Sequence, residues 1–584
     1  MEELKILSLD NFTRDFQAIN KEKMFNEVTN ILVETINLVR NCEYLKKINL
    51  SNVFNKYFDE ITGKFDSTRK NEFLNEFVQK VPVSEYKDYK ELIDRIHDKG
   101  ESDIMLPGLP SLFALSSGTL SGNGKIFPLF WQNHPGFEKM KMAMMKGIKP
   151  PYPPENIIDY VNQAGFKEFS NKSKGICLIT RYIKSFSPIK NIPIGMASSS
   201  IPSYASDIEP EFPKYDMDYN NRILTALIFS ASFRDLEFIY SVFLSTVADF
   251  FSFFEREFFT VIQHIENGTL PEPKQSNENN YMRMRNDHEA SECKLKPNKE
   301  RADELRMLAD GDKVDLKNRI HLIWPKLSLI NAIYTGSFEP TLHICRSYCS
   351  NVLYLNTIYI SSEGFHGDAL PNGKNHYLLF KPNTGKSFLE FIPENSNNVL
   401  LPTELEVDKT YEVIVTSPIS GLLRYKLGDI VKMCGWFENL PVISVVGRKD
   451  ISLRNNIYQV KEEEFINCFH ELNLNVQFTF FMDRMRNPAC LGVFLENSNE
   501  ITEKKEELSI KIHQYLMANN SAYNIASSKN VSVPISVYYV RKGSFMEWNS
   551  FKAEQIGIKS TNQVKLTRIS LSEEQIDFFR KRIE

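Results

Sequence analysis

Several short stretches of this chain carry the residue types that polyphosphate chemistry needs. The first is LSSGTLSGNGKIFP, residues 115–128. Ser116, Ser117, Gly118 and Thr119 lead into Ser121, Gly122, Gly124 and Lys125. Glycines admit backbone angles that side chains forbid, so successive N–H groups can converge on one point. The hydroxyls add donors, and Lys125 adds a mobile point charge for phosphate oxygens. The pattern suits a loop wrapped round a polyphosphate. It is not a Walker A loop, because Ile126 stands where Ser or Thr would follow the lysine. A Ser/Thr/Gly run is also a common surface turn, so the stretch alone leaves both readings open.

The second stretch is TIYISSEGFHG, residues 357–367. Tyr359 offers a flat face and a hydroxyl, Ser361 and Ser362 are donors, and Glu363 is a lone carboxylate in a turn. One carboxylate plus phosphate oxygens is a usual Mg²⁺ arrangement, although a solvated turn glutamate has the same spelling. The third stretch, GLLRYKLGDIV at 421–431, ends an apolar run on Gly428 and Asp429. A carboxylate at the end of a strand can accept both ribose hydroxyls, or simply cap its own turn. GRKD, residues 447–450, places Arg448 and Lys449 beside an aspartate where the sequence character changes. It reads as a charged turn or as a hinge. Asp310-Gly-Asp312 opens like a calcium loop, but Val314 and His321 occupy later ligand positions. His343, Cys345 and Cys349 have no second ligand pair, so no zinc site is expected.

The elements that must hold these residues follow from periodicity. Helical spacing of apolar residues runs through much of 10–100, with a second helix near 67–80 closed by Pro82. A third spans 84–98, for which Ser84 is the N-cap candidate. GICLITRYI at 175–183 is a strand candidate, and 221–266 reads as helical. Within it, Phe238 to Phe259 reads as a long buried aromatic helix; Asp249, Glu255, Arg256 and Glu257 argue against a membrane span. The polar stretch 267–316 is expected to be a surface excursion with a short helix at 299–309. Strand-like runs follow at 327–335, 352–360, 376–381, 387–392 and 411–417. From about 451 the pattern alternates helix and strand over 461–471, 475–482, 490–495, 502–519 and 531–541. That predicts a small α/β domain.

The chain has 584 residues, enough for two or more domains. Its 42% hydrophobic and 25% charged residues are ordinary for a globular protein, and a net charge of −4 gives no reason to expect nucleic acid. Eight scattered cysteines without a CxxC read as reduced thiols. The start, MEELKILSLDNFTRDF, carries charge throughout and no apolar core of a signal peptide. A cytoplasmic location is the expectation.

The three motif stretches come in the order and with the separations of adenylate-forming enzymes. They resemble most closely the auxin-responsive Gretchen Hagen family of acyl-acid amido synthetases, in a non-plant form. FVQKVPVSEYKDYKELIDRI, LIWPKLSLINAIYTGSFEP and VVGRKDISL are similar to further family segments. So is RKGSFMEWNSF…GIKSTNQVKLTR at 541–568, although Val564 and Thr567 replace a tyrosine and a proline while Gln563, Lys565 and Arg568 are kept. The resemblance implies an α/β fold: a large N-terminal adenylate-forming domain, with β-sheets and a β-barrel flanked by helices, over 1–447, and a small mobile C-terminal α/β domain over 448–584. It implies ATP and Mg²⁺ as cofactors, and a small carboxylic acid and an amino acid as partners. It assigns the 116–119 loop and Lys125 to phosphates, and Glu363 to Mg²⁺. It further assigns Gly336, Tyr359 and Ser361 to adenine and α-phosphate, with Ser362 beside them. Asp429 goes to the ribose with Arg448 and Lys449 near it, and Lys565 to catalysis. Residues 175–240 match the family poorly; Arg181 or Arg222 could guide the acid's carboxylate there. Two alternatives remain: an adenylating ligase with an alcohol, thiol or protein amine as acceptor, and a catalytically dead nucleotide-binding relative.

Overall fold

A computed structural model describes residues 12–115, 125–133, 175–178, 183–186, 193–195, 219–271, 295–335, 339–356, 358–370, 377–378, 386–394, 396–437, 439–449, 451–454, 458–486, 490–497, 504–528, 532–555, 568–570 and 572–584. The positions of Ser116, Ser117, Gly118, Thr119, Arg181, Gly336 and Lys565 lie outside the described residues, and so does the side chain of Arg222, whose backbone is on the helix Tyr219–Ser232.

The N-terminal helices Lys21–Val39, Lys70–Lys80 and Tyr86–Lys99 each bury one apolar stripe. Their Met24, Leu32, Phe73, Phe77, Leu92 and Ile96 are buried in one core with Phe388, Phe391, Val413, Met433 and Trp436 of an antiparallel sheet. That sheet runs in the order Ile358–Ser361, Gly364–Ala369, Tyr377–Leu378, Leu440–Arg448, Tyr425–Phe437, Thr410–Thr416, Phe388–Pro393, with Phe12–Thr13 paired on Tyr425–Phe437. The helix expected at 84–98 is present, but Ser84 does not cap it. Glu85 is the cap, with its N–H donating to Asp88 at 2.8 Å. Ser84 instead donates to the Leu423 carbonyl at 2.7 Å, a tertiary bond that local pattern cannot show.

A second core surrounds a parallel sheet of Gly175–Cys177, Phe238–Phe243, Leu329–Ile333 and Leu353–Leu355. Phe238–Phe243 is therefore a strand, not the start of an aromatic helix. A parallel strand covered on both faces is a continuous apolar run, which periodicity alone cannot separate from a buried helix. The helices Leu244–Arg256 and Phe258–Asn267 follow it, and Phe250 and Phe254 pack on Trp324. Glu255 at the helix end accepts from the Leu316 N–H at 3.1 Å and the Tyr348 hydroxyl at 3.3 Å. The helix Lys299–Arg306 falls where one was expected, yet 295–316 is no mere surface excursion: Ala302, Leu305 and Leu316 are fully buried in this core. Arg301 goes in with them, donating to the carbonyls of Ala231 and Ile323. A third sheet, of mixed direction, joins Ile126–Leu129, Leu112–Leu115, Pro193–Gly195 and Ile183–Phe186.

The C-terminal part has its own cores. Phe478–Asp483 and Cys490–Glu496 form an antiparallel pair, and Ser536–Val540 joins the second in parallel. The expected helix–strand alternation thus breaks at 490–496, where two strands follow one another. Helices Glu462–Glu471, Lys505–Asn519 and Ser521–Ser528 supply Phe465, Phe469, Leu508, Ile512 and Tyr523 to the larger core. Among the described residues, no helix is long and apolar enough to cross a membrane.

Candidate active site

Glu363 is made by a hairpin. Ser361 pairs with Gly364, so Ser362 and Glu363 are the two loop residues. Gly364 has φ +154°, and a Cβ there would stand 2.7 Å from Ser417 Oγ, so only glycine lets the hairpin lie this close to the following loop. The tip is tied down through both backbone polar groups of one residue. Glu363 N–H donates to Ser361 Oγ at 3.1 Å, and the Glu363 carbonyl accepts from Ser420 Oγ at 2.7 Å. The carboxylate, nearly buried, accepts from Ser362 at 2.9 Å. Among the described residues it has no ion-pair partner.

Asp429 is made by a strand pair. It lies directly across from Arg448, the last residue of Leu440–Arg448. Gly428 before it has φ +80°, and the backbone there turns so that the Gly428 carbonyl accepts the Lys449 N–H at 2.7 Å. Asp429 Oδ2 accepts from the Tyr359 hydroxyl at 2.9 Å, and Oδ1 is 3.2 Å from Arg448 Nε. The second approach is an ion pair without hydrogen-bond alignment. Arg448 Nη2 donates to the Leu427 carbonyl at 2.7 Å. A carboxylate has about four lone-pair directions, so Asp429 keeps acceptor capacity after these contacts.

The electrostatics bind these groups into one unit. Burial first, then the charge of Asp429, pushes the Tyr359 phenol well above its ordinary range, so it stays a donor. Burial works against the Arg448 charge, but Asp429 and then Glu363 more than offset it. Tyr425 is raised by burial and by the Glu363 charge. That tyrosine is the hub of the site: Ser84 bridges to it, Phe127 and Tyr89 pack on its ring, and its own strand leads to Asp429. Lys125 enters through the same packing. It precedes the strand Ile126–Leu129, and its ammonium lies over the Tyr86 ring at 5.4 Å. Tyr86 in turn packs on Phe127.

The described residues of the second and third motif stretches therefore meet within the antiparallel sheet, and Lys125, which precedes a strand of the mixed sheet, is linked to them through the packing of Tyr86 and Phe127 on Tyr425. Lys449 is adjacent, but its ammonium pairs with the nearly buried Glu412 at 2.6 Å. Arg424, inside the third motif, is a docking residue. It has φ +46°, pairs twice with Glu390 at 2.9 Å, and donates to the Val78 and Val81 carbonyls at the end of Lys70–Lys80. Arg568, three residues after Lys565, is buried in the C-terminal part, donating to Gln477 and stacked over Phe478. Sequence reasoning missed Tyr425 and His366. Both stand in the quoted stretches, and the signal, an aromatic among small or charged neighbours, does not distinguish a hub from a core residue.

The fold is that of an acyl acid amido synthetase: it superposes on the solved structure of GH3.15 acyl acid amido synthetase with a TM-score of 0.72 at 19% identity, covering 98% of this chain and 97% of that one. The sequence matches the GH3 family N-terminal domain over 21–354, the GH3 family central domain over 380–448 and the GH3 family C-terminal domain over 460–574. The chain belongs to the GH3 family. Among its relatives are a jasmonoyl–L-amino acid synthetase of Oryza sativa subsp. japonica, 26% identical with 80% of this chain and 82% of that one covered, and a 4-substituted benzoates–glutamate ligase of Arabidopsis thaliana, 24% identical with 84% and 87% covered.

Proposed function

We infer that the chain is an ATP-dependent acyl-acid amido synthetase. The convergence of Glu363, Tyr359, Asp429 and Arg448 in a chain of this family carries the reading. The named relatives join different acids, all to amino acids, and the shared chemistry is what we transfer.

A free carboxylate resists amines because it is negative and its oxygen leaves poorly. In the first half-reaction its oxygen attacks the α-phosphorus of ATP, and pyrophosphate leaves with the electron pair. In the second, an amine attacks the acyl carbon, loses a proton, and AMP leaves. Catalysis is positioning plus charge neutralisation. Asp429 takes the ribose hydroxyls, oriented by the Tyr359 hydroxyl and by Arg448. Residues 116–119 and Lys125 take the phosphates, with Gly336, Ser361 and Ser362 about the nucleotide. The nearly buried Glu363 carboxylate lacks an ion-pair partner among the described residues, which fits a single-carboxylate cation site. Mg²⁺ held there would neutralise phosphate charge as pyrophosphate departs. Arg181 or Arg222 would guide the acid. The described cysteines are free thiols, which suits the reducing cytoplasm.

The small domain, taken as 448–584, would turn about Arg448–Asp450 between half-reactions. In the present pose it is held by the pairs Lys461–Glu394 and Lys542–Glu255 and by the ring contact of His343 with His470. Lys565 is expected to enter the site in one pose only. Lys565→Ala should therefore lower amide formation far more than ATP affinity, measured by product mass spectrometry beside equilibrium nucleotide binding. Equal loss of both would remove that role. Asp429→Asn should raise the KM for ATP about tenfold, the worth of one charge-assisted hydrogen bond, with a smaller change in kcat. An unchanged KM would place the ribose elsewhere.

A further inference from the structure

His366 lies on the strand Gly364–Ala369, with no part of it reaching solvent. Its Nε2 is 2.8 Å from Ser361 Oγ, and its ring meets Tyr359 edge-on at 4.9 Å. Its Nδ1 is buried and, among the described residues, has no hydrogen-bond partner. The imidazole has three proton arrangements, and the surroundings separate them. The doubly protonated ring is disfavoured, because burial pushes the group down to about 4 with Asp429 opposing. A proton on Nδ1 would bury an unpaired N–H, the rarer kind of orphan in folded proteins. A proton on Nε2 leaves only an unpaired acceptor, and that N–H then donates to Ser361 Oγ. Ser361 Oγ also accepts the Glu363 backbone N–H at 3.1 Å. A hydroxyl with both lone pairs taken has only its own proton to offer. Among the described residues, nothing accepts that proton.

We propose that His366, as its Nε2–H tautomer, is a positioning residue that fixes the Ser361 hydroxyl as a donor to a phosphate oxygen of the bound nucleotide. The proposal rests on the ATP-dependent reading above. It assigns the histidine no contact with substrate: it acts through Ser361, and its ring also backs the Tyr359 that holds Asp429.

The test is equilibrium binding of a fluorescent ATP analogue, displaced by ATP, on the full chain. His366→Phe and Ser361→Ala should each weaken ATP about tenfold. The double variant should bind no more weakly than either single one, because both remove the same donor. His366→Gln, which carries an N–H near the place of Nε2, should recover most of the affinity. If His366→Phe does not fold, His366→Met carries the same expectation. Additive losses in the double variant, no recovery with Gln, or wild-type affinity in His366→Phe would each overturn the proposal. Wild-type protein that binds no ATP would overturn the underlying reading too, and this control tells the two failures apart.

Discussion

Glu363→Gln is expected to lower acid-dependent ATP–pyrophosphate exchange by about 10²–10³-fold, while the protein folds and still binds ATP. The geometry is why the effect should be both large and confined to chemistry. The hairpin tip is held by backbone groups, the Glu363 N–H on Ser361 and the Glu363 carbonyl on Ser420, and a glutamine keeps both. The side-chain amide oxygen can still accept from Ser362. What disappears is the negative charge, in a place where burial keeps water from replacing it. Exchange kinetics against Mg²⁺ concentration would read this directly. Unchanged exchange in the variant would exclude Glu363 as the cation ligand and move that role to another carboxylate.

Glu390→Gln is expected to destabilise the N-terminal part by about 3–5 kcal/mol, the usual cost of breaking a buried ion pair from one side. Glu390 and Arg424 are both almost completely buried and meet through two 2.9 Å bonds. Arg424 Nη1 donates to the Val78 and Val81 carbonyls, so the same guanidinium fastens the helix end to the sheet. Removing one charge strands the other in the core. Replacing both, as Glu390→Met with Arg424→Met, should restore much of the loss, because no charge is then left unpaired. Urea unfolding followed by tryptophan fluorescence checks both variants. A single variant as stable as wild type would show that the pair contributes little. The link to function is short, since Tyr425 follows Arg424 and Asp429 lies four residues further on the same strand.

That the two carboxylates stand in turns and at strand ends could be read from the sequence, because each position is announced by its own neighbours. Glu363 stands between serines and a glycine after a strand-like run, and Asp429 follows a glycine at the end of another. Their surroundings could not be read in this way. Arg424 looks like any charge in a motif until Glu390 is found 34 residues away. Ser84 looks like a cap until Leu423 claims its hydroxyl. Phe238–Phe243 looks like helix because its two faces are both covered, which removes the alternation that marks a strand. His366 was in plain view within the second motif, yet its role depends on which of its nitrogens lacks a partner, and only three dimensions show that. The shortfall is of one kind: local pattern carries the turn and the strand, and long-range hydrogen bonds decide what a polar residue is for.

The proposed chemistry of this site is activation of a carboxylic acid with ATP. It is tested most directly by ATP–[³²P]pyrophosphate exchange with Mg²⁺, run across aryl, indolyl and fatty acids and without any amine. Exchange should be absent without acid and appear with one acid class, which then names the substrate class. Folded protein that binds ATP yet shows no exchange with any acid of the panel would contradict it.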